Sequence, residues 1–68
     1  MSKKWLFKVN DDLYTKELYC ESLQELNSFI LTHKGMSGFI ELENTLVNIN
    51  NISQICDAYE YTRGAVKI

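Results

Sequence analysis

Apolar and polar positions along the chain follow two periods. Trp5 to Val9 alternates, with Trp5, Phe7 and Val9 on one side and Leu6 and Lys8 on the other. That period of two, in residues rich in aromatic and β-branched types, predicts a half-buried strand. Asn10-Asp11-Asp12 is a turn cluster, because Asn and Asp side chains bond nearby backbone and tolerate unusual dihedrals. A second strand is expected over Leu13 to Cys20. A two-residue Asp11-Asp12 loop would set Val9 against Tyr14 and Trp5 against Leu18.

The period then changes to that of a helix. Ser22 with Glu25 three residues on forms a capping box, in which the hydroxyl accepts from a first-turn amide and the carboxylate reaches back to the Ser22 amide. Leu23, Leu26 and Ile30 recur at helical spacing with Phe29 beside them, giving one apolar stripe. His33 and Lys34 fall at the negative end of the helix dipole, and Gly35 is the expected left-handed stop. This amphipathic helix needs a surface to lie on.

Gly35 to Gly38 reads as a loop. Phe39 to Glu43 and Thr45 to Ile49 then form a second hairpin turning at Glu43-Asn44. In that register Ile40, Leu42, Val47 and Ile49 share an apolar face, while Phe39, Glu41, Leu46 and Asn48 share a mixed one. From Asn50 the pattern forks. Ile52, Ile55, Cys56 and Tyr59 fit a helical stripe, but the segment is heavy in β-branched and aromatic residues and carries Asp, Asn and Ser, which dilute helix propensity. The preferred reading is a strand from about Ser53 to Thr62, a turn at Arg63-Gly64 and a last strand from Ala65 to Ile68.

The predicted architecture is a single α+β domain over residues 1–68, one amphipathic helix packed on a small antiparallel sheet in the order β-β-α-β-β-β. The alternative is β-β-α-β-β-α, with a C-terminal helix over 51–62.

Composition narrows the functional classes. A chain of 68 residues with 46% hydrophobic and 24% charged residues is an ordinary globular composition. Its core is small, which suits a binding surface better than a deep catalytic cleft. Net charge is −2, and only Lys3-Lys4 are adjacent among seven scattered cations, unlike a sequence-independent nucleic-acid binder. Two cysteines far apart, no signal-peptide pattern and no membrane-span pattern lead to the expectation of a cytoplasmic protein. Six Asn, six Ile and six Lys against one Arg fit an AT-rich coding sequence, and the Leu46 to Ile55 run, a strand ending in Asn-Asn-Ile and followed by Ile55, is of a kind that occurs in many small β-rich bacterial and phage proteins.

Candidate chemistry is sparse. His33, the only histidine, has no cysteine or carboxylate at metal-ligand spacing and reads as a helix C-terminal cation. Cys20 precedes the helix cap, where a thiolate could be stabilised, yet the one histidine lies about 15 Å or more away along that helix. Cys20 and Cys56 read as small apolar residues. Glu41, Glu43 and Glu60 could meet on a sheet face, where they would keep it soluble and guard an edge. Gly35 and Gly38 lack the phosphate-loop and dinucleotide patterns.

The aromatic set is the strongest functional signal, because Tyr and Trp give large contact area with a polar handle. Phe7 and Phe29 are assigned to the core. Trp5, Tyr14, Phe39, Leu46, Tyr59 and Tyr61 are the interface candidates, with Tyr59 and Tyr61 pointing the same way along a strand. The expected function is a non-enzymatic protein-interaction module, self-associating as a homodimer or larger assembly, and acting as a regulator or inhibitor on a larger protein. It implies no cofactor, metal, membrane or small-molecule substrate. The alternative is a dimeric nucleic-acid-binding regulator using Lys3, Lys4, Lys8, Lys16 and Arg63.

Overall fold

The computed structural model describes residues 2–67. Five strands and two helices follow in the order β1 (Lys3–Val9), β2 (Asp12–Leu18), α1 (Leu23–Met36), β3 (Phe39–Leu42), β4 (Thr45–Asn48), β5 (Ile52–Asp57) and α2 (Ala58–Thr62), with a single 3-10 turn at Ile49–Asn51. The α+β class and the β-β-α-β-β-β order are as the pattern predicts. The sheet is divided, however, into an antiparallel three-stranded sheet ordered β2-β1-β5 and a two-stranded ribbon β3-β4. β1 is therefore central, and it pairs with the last strand of the chain as well as with its sequence neighbour.

The first hairpin turns at Asn10-Asp11, with Val9 opposite Asp12, Phe7 opposite Tyr14 and Trp5 opposite Lys16. This is two residues from the register expected from an Asp11-Asp12 loop. Asn10 takes the left-handed conformation, φ 56°, that its side chain tolerates, and so the turn closes earlier. A slip of two leaves every side chain on its predicted face, because the strand period is two.

Odd positions of β1 build the core. Trp5, Phe7 and Val9 are buried with Leu18, with Leu26 of α1, and with Ile40, Leu42, Val47 and Ile49, while Phe29, Ile30, Ile52 and Ile55 pack on the margin. The predicted inner face of the β3-β4 ribbon is thus the buried one. On the far face of the three-stranded sheet, Leu6, Cys56 and Ala58 form a second small cluster covered by Tyr61 and Val66.

α1 begins as its cap predicts. The Glu25 amide donates to Ser22 Oγ at 3.2 Å, and the Glu25 carboxylate reaches back to the amide of Glu21 rather than that of Ser22. Its end lies later than expected, since Gly35 is helical and Gly38, at φ +78°, makes the left-handed exit. The Ser37 and Gly38 amides both donate to the His33 carbonyl, closing the last turn.

The C-terminal segment corrects both readings of the sequence. Ile52 to Asp57 is a strand, so no helix spans 51–62, but residues 58–62 are helical rather than extended. Asp57 makes the change: its Oδ1 accepts from the amides of Tyr59, at 2.8 Å, and Glu60, at 3.4 Å, which is the bonding of a helix N-cap. Residues 65–67 form no strand, and Ile68 lies outside the described residues. Among the described residues no helix is long and apolar enough to cross a membrane.

Candidate functional site

The two outer edges of the three-stranded sheet differ in kind. An edge strand exposes unpaired backbone groups and is normally blunted by charges, proline, bulges or a covering element. β2 carries Asp12, Lys16 and Glu17, and the Glu43 carboxylate covers it by accepting from the Thr15 amide at 2.6 Å. β5 reads Ile-Ser-Gln-Ile-Cys-Asp, with no charge before its last residue and no proline. It carries a bulge at Ser53, between the Lys8–Gln54 and Val9–Ile52 pairs, where Ser53 Oγ donates to the Lys8 carbonyl, and the Gln54 side-chain amide donates to the Lys67 carbonyl of the C-terminal segment at 3.4 Å. Among the described residues no strand pairs with its outer side.

Ladder geometry fixes which backbone groups of β5 are open. In antiparallel pairs, residues alternate between turning both backbone groups toward a neighbour and turning them away. The Thr15 amide bonds Glu43, so Thr15 faces away from β1, and its ladder mate Leu6 faces β5. Cys56, opposite Leu6, therefore faces β1, and Ile55 presents its N–H and C=O groups outward, while the Asp57 carbonyl is taken up by the first turn of α2.

A groove borders this edge. Leu23, Asn27 and Ile30 of α1 form one wall and Ile52, Ser53 and Ile55 of β5 the other, around about 350 Å³. It adjoins a second hollow of about 370 Å³ at the other end of β5, where Lys3, Asp57, Glu60 and Val66 stand. Leu23 is 62% exposed, and Leu31, one helical turn beyond Asn27, is open as well. The apolar arc of α1 is thus wider than its own core covers.

Charge along this flank is balanced. Lys3 Nζ sits 2.9 Å from Asp57 Oδ2 and also lies over the Trp5 ring. The Lys3 ammonium and the bonds from the Tyr59 and Glu60 amides hold the Asp57 carboxyl below its ordinary range, against the opposing effect of burial. Burial, with the Asp57 charge next to it, raises the Cys56 thiol.

The residues predicted from sequence scatter. Trp5 is 2% exposed, and its indole N–H donates to the Cys20 carbonyl at 3.0 Å, so it belongs to the core and offers no surface. Tyr14 is half-buried on the main core, and Tyr61 is half-buried over the second cluster. Tyr59 is 64% exposed with the Arg63 guanidinium over its ring, but it does not point the way Tyr61 does, because both lie on a helix, where residues two apart diverge. Only Phe39 and Leu46 come together. The pairs Phe39–Asn48 and Glu41–Leu46 make them diagonal neighbours on the outer face of the ribbon, 40% and 69% exposed.

The cations are divided in the same way. Lys4 and Lys8 lie on the Leu6 face of the sheet, Lys3 and Lys16 share the Trp5 side, and Arg63 stands at the end of α2. Lys3 is paired with Asp57, so the five residues make no single basic face. His33 Nδ1 lies 3.1 Å from the Phe29 carbonyl with its ring against Phe29; Glu41 and Glu43 belong to the β3-β4 hairpin, one in the strand and one in its turn, and Glu60 stands on α2. Among the described residues no three His, Cys, Asp or Glu side chains gather as a metal site would require.

The β5 edge and its helical wall were missed by the sequence reading. The available signal was the absence of charge from Ile49 to Cys56, which becomes informative only once β5 is known to be an outermost strand. Comparison with protein-family models, with curated proteins and with solved structures finds no match for this chain.

Proposed function

We propose that this chain is a protein-interaction module that works by association rather than by catalysing a reaction. It binds a copy of itself, and the assembly docks on a larger protein as a small cytoplasmic regulator or inhibitor of bacterial or phage origin. The observation that carries this reading is the inequality of the two sheet edges: one is charged and capped by Glu43, while the other carries no charge before Asp57, pairs with no strand among the described residues and borders a groove lined by Leu23, Ile30, Ile52 and Ile55 with Asn27 and Ser53. An edge of that kind pairs with another strand wherever one is supplied. A 68-residue core also gains from burial against a partner. Phe39 and Leu46 on the ribbon's outer face supply the apolar centre of the docking patch for the larger protein. Two thiols without a disulfide between them fit a reducing compartment.

Size-exclusion chromatography with light scattering over a wide concentration range tests the self-association. The expected result is a mass that rises with concentration from that of the 7.9 kDa chain toward twice that value. A mass fixed at that of one chain throughout overturns it.

A further inference from the structure

We infer that the occupant of the open edge is the β5 strand of a second copy, paired antiparallel about a two-fold axis at Ile55, so that two three-stranded sheets join into one of six strands. This deepens the proposed function and rests on it, since it names the partner and the contact for the same self-association.

The register follows from the backbone. Ile55 presents its N–H and C=O groups outward, while Gln54 and Cys56 turn theirs toward β1. Two copies related by a two-fold axis perpendicular to the sheet must pair residues of equal face, and only a pair of outward-turned residues can exchange bonds at the axis. Ile55 is the outward residue in the regular part of the strand, between the bulge at Ser53 and the helix cap at Asp57. Centred there, Ile55 exchanges two hydrogen bonds with its counterpart, Gln54 lies opposite the partner's Cys56, and Ser53 lies opposite the partner's Asp57.

The side chains agree with that arrangement. Each Ile55 faces the groove under α1, so the two-fold sets two isoleucines side by side beneath two helices. Leu23, Asn27 and Ile30 of each helix then wall a strand that the monomer lacks. The flank is self-complementary in charge, because residues 52–56 are uncharged and Asp57 already holds Lys3. Antiparallel pairing sends the two Asp57 carboxylates to opposite ends of the contact, whereas parallel pairing would set them side by side. A foreign strand with a strong charge pattern finds nothing here to match it.

Size supports a reversible dimer. β5 is about 20 Å long and α1 about 21 Å, so the two elements define one flank of matched length. In a molecule of 33 × 28 × 19 Å that flank presents on the order of 500 Å² per copy. The total of about 1,000 Å² stands at the lower bound for a specific interface, which predicts a dimer that dissociates on dilution.

The test uses opposite charges at one exposed position. Ser53→Asp sets a carboxylate against the partner's Asp57 twice over, and Ser53→Lys sets an ammonium there. Both remove the same bond from Ser53 Oγ to the Lys8 carbonyl, so their difference isolates the cross-strand charge. The dissociation constant of the Ser53→Asp chain is expected to exceed that of Ser53→Lys by about tenfold, since two like-charged pairs replace two opposite ones. A second measurement needs no comparison of affinities. At the axis Ile55 opposes its own counterpart with Cα atoms about 5.5 Å apart, within disulfide range. Ile55→Cys in a background with Cys20→Ser and Cys56→Ser, mildly oxidised, should therefore give a covalent dimer, visible without reductant. A dimer with equal affinity in both charge variants and no cross-link would overturn the β5 contact while leaving self-association standing. A chain that stays monomeric at every concentration overturns both, and leaves the edge to a strand of another protein.

Discussion

The Glu43 carboxylate accepts a hydrogen bond from the Thr15 amide at 2.6 Å, joining the tip of one hairpin to the edge strand of another sheet. Glu43 achieves this from a left-handed conformation, φ 48°, as does Asn44 next to it at φ 68°. Two consecutive positive φ values are the requirement of a tight two-residue hairpin turn. Glutamate is a poor residue for that position, by about 1 kcal/mol relative to glycine.

Glu43→Gln is expected to cost about 1 kcal/mol, because it exchanges a charge-assisted bond for a neutral one. Glu43→Gly should fold with stability near that of the parent chain, since the relief of the turn offsets the lost bond. In both, amide exchange at Thr15 should quicken several-fold relative to its neighbours. Unchanged exchange at Thr15 in both variants would show that the carboxylate does not cover that edge.

Asp57 ties three elements together at the end of β5, pairing Lys3 of β1 and capping α2. Asp57→Ala removes both roles and should cost about 1–2 kcal/mol in denaturant unfolding. Asp57→Asn keeps an oxygen for the cap and loses the ion pair, so it should cost less. The folded carboxyl titrates below its unfolded value of about 3.9. Its contribution is complete above that value and disappears as pH falls through the folded pKa. The parent chain should therefore lose more stability in that acid window than Asp57→Asn does, and parallel acid profiles would contradict the pairing.

The two thiols should react in order. Cys20 is half-buried, whereas Cys56 is buried beneath Tyr61 and Val66 with its pKa raised by that burial. In mildly alkaline buffer a thiol alkylator should modify Cys20 first, and Cys56 only at the rate of opening of α2. Mass spectrometry of the peptides resolves the two, and equal rates would mean that the second cluster is not closed in solution.

The two faces of the β3-β4 ribbon should respond differently to truncation. Phe39→Ser and Leu46→Ser remove exposed side chains and should each change stability by no more than about 0.5 kcal/mol. Leu42→Ala, on the inner face and fully buried, should cost about 2–5 kcal/mol. Urea unfolding midpoints measure all three, and a large loss from Leu46→Ser would mean that its face is covered in the free protein.

How much of this could be read from sequence depended on whether the deciding interaction was local. Ser22 with Glu25, and the alternation through Ile40, Leu42, Val47 and Ile49, are decided within a few residues, and both appear as predicted. The α2 helix appeared only within the alternative helix over 51–62, with its start placed too early, because its deciding residue, Asp57, lies inside a run whose composition favours strands. A five-residue helix there depends on one cap and on packing over Leu6. Trp5 was misplaced because a tryptophan at the start of a strand looks like a contact residue until the Cys20 carbonyl is seen to meet its N–H. The β5 edge was illegible because its neighbour, β1, lies some 50 positions away in the chain.

That distance has a further meaning for how the molecule is made. The central strand β1 is synthesised first, and its second neighbour, β5, follows some 50 residues later. Until Ile52 to Asp57 has been translated, Leu6 and Phe7 have a mate on one side only, and the three-stranded sheet cannot close. Such long-range pairing slows folding, because most of the loop entropy is lost before the contacts form. The nascent chain therefore carries an unfinished sheet over the whole interval between β1 and β5, and the sheet closes only once Ile52 to Asp57 is free to pair.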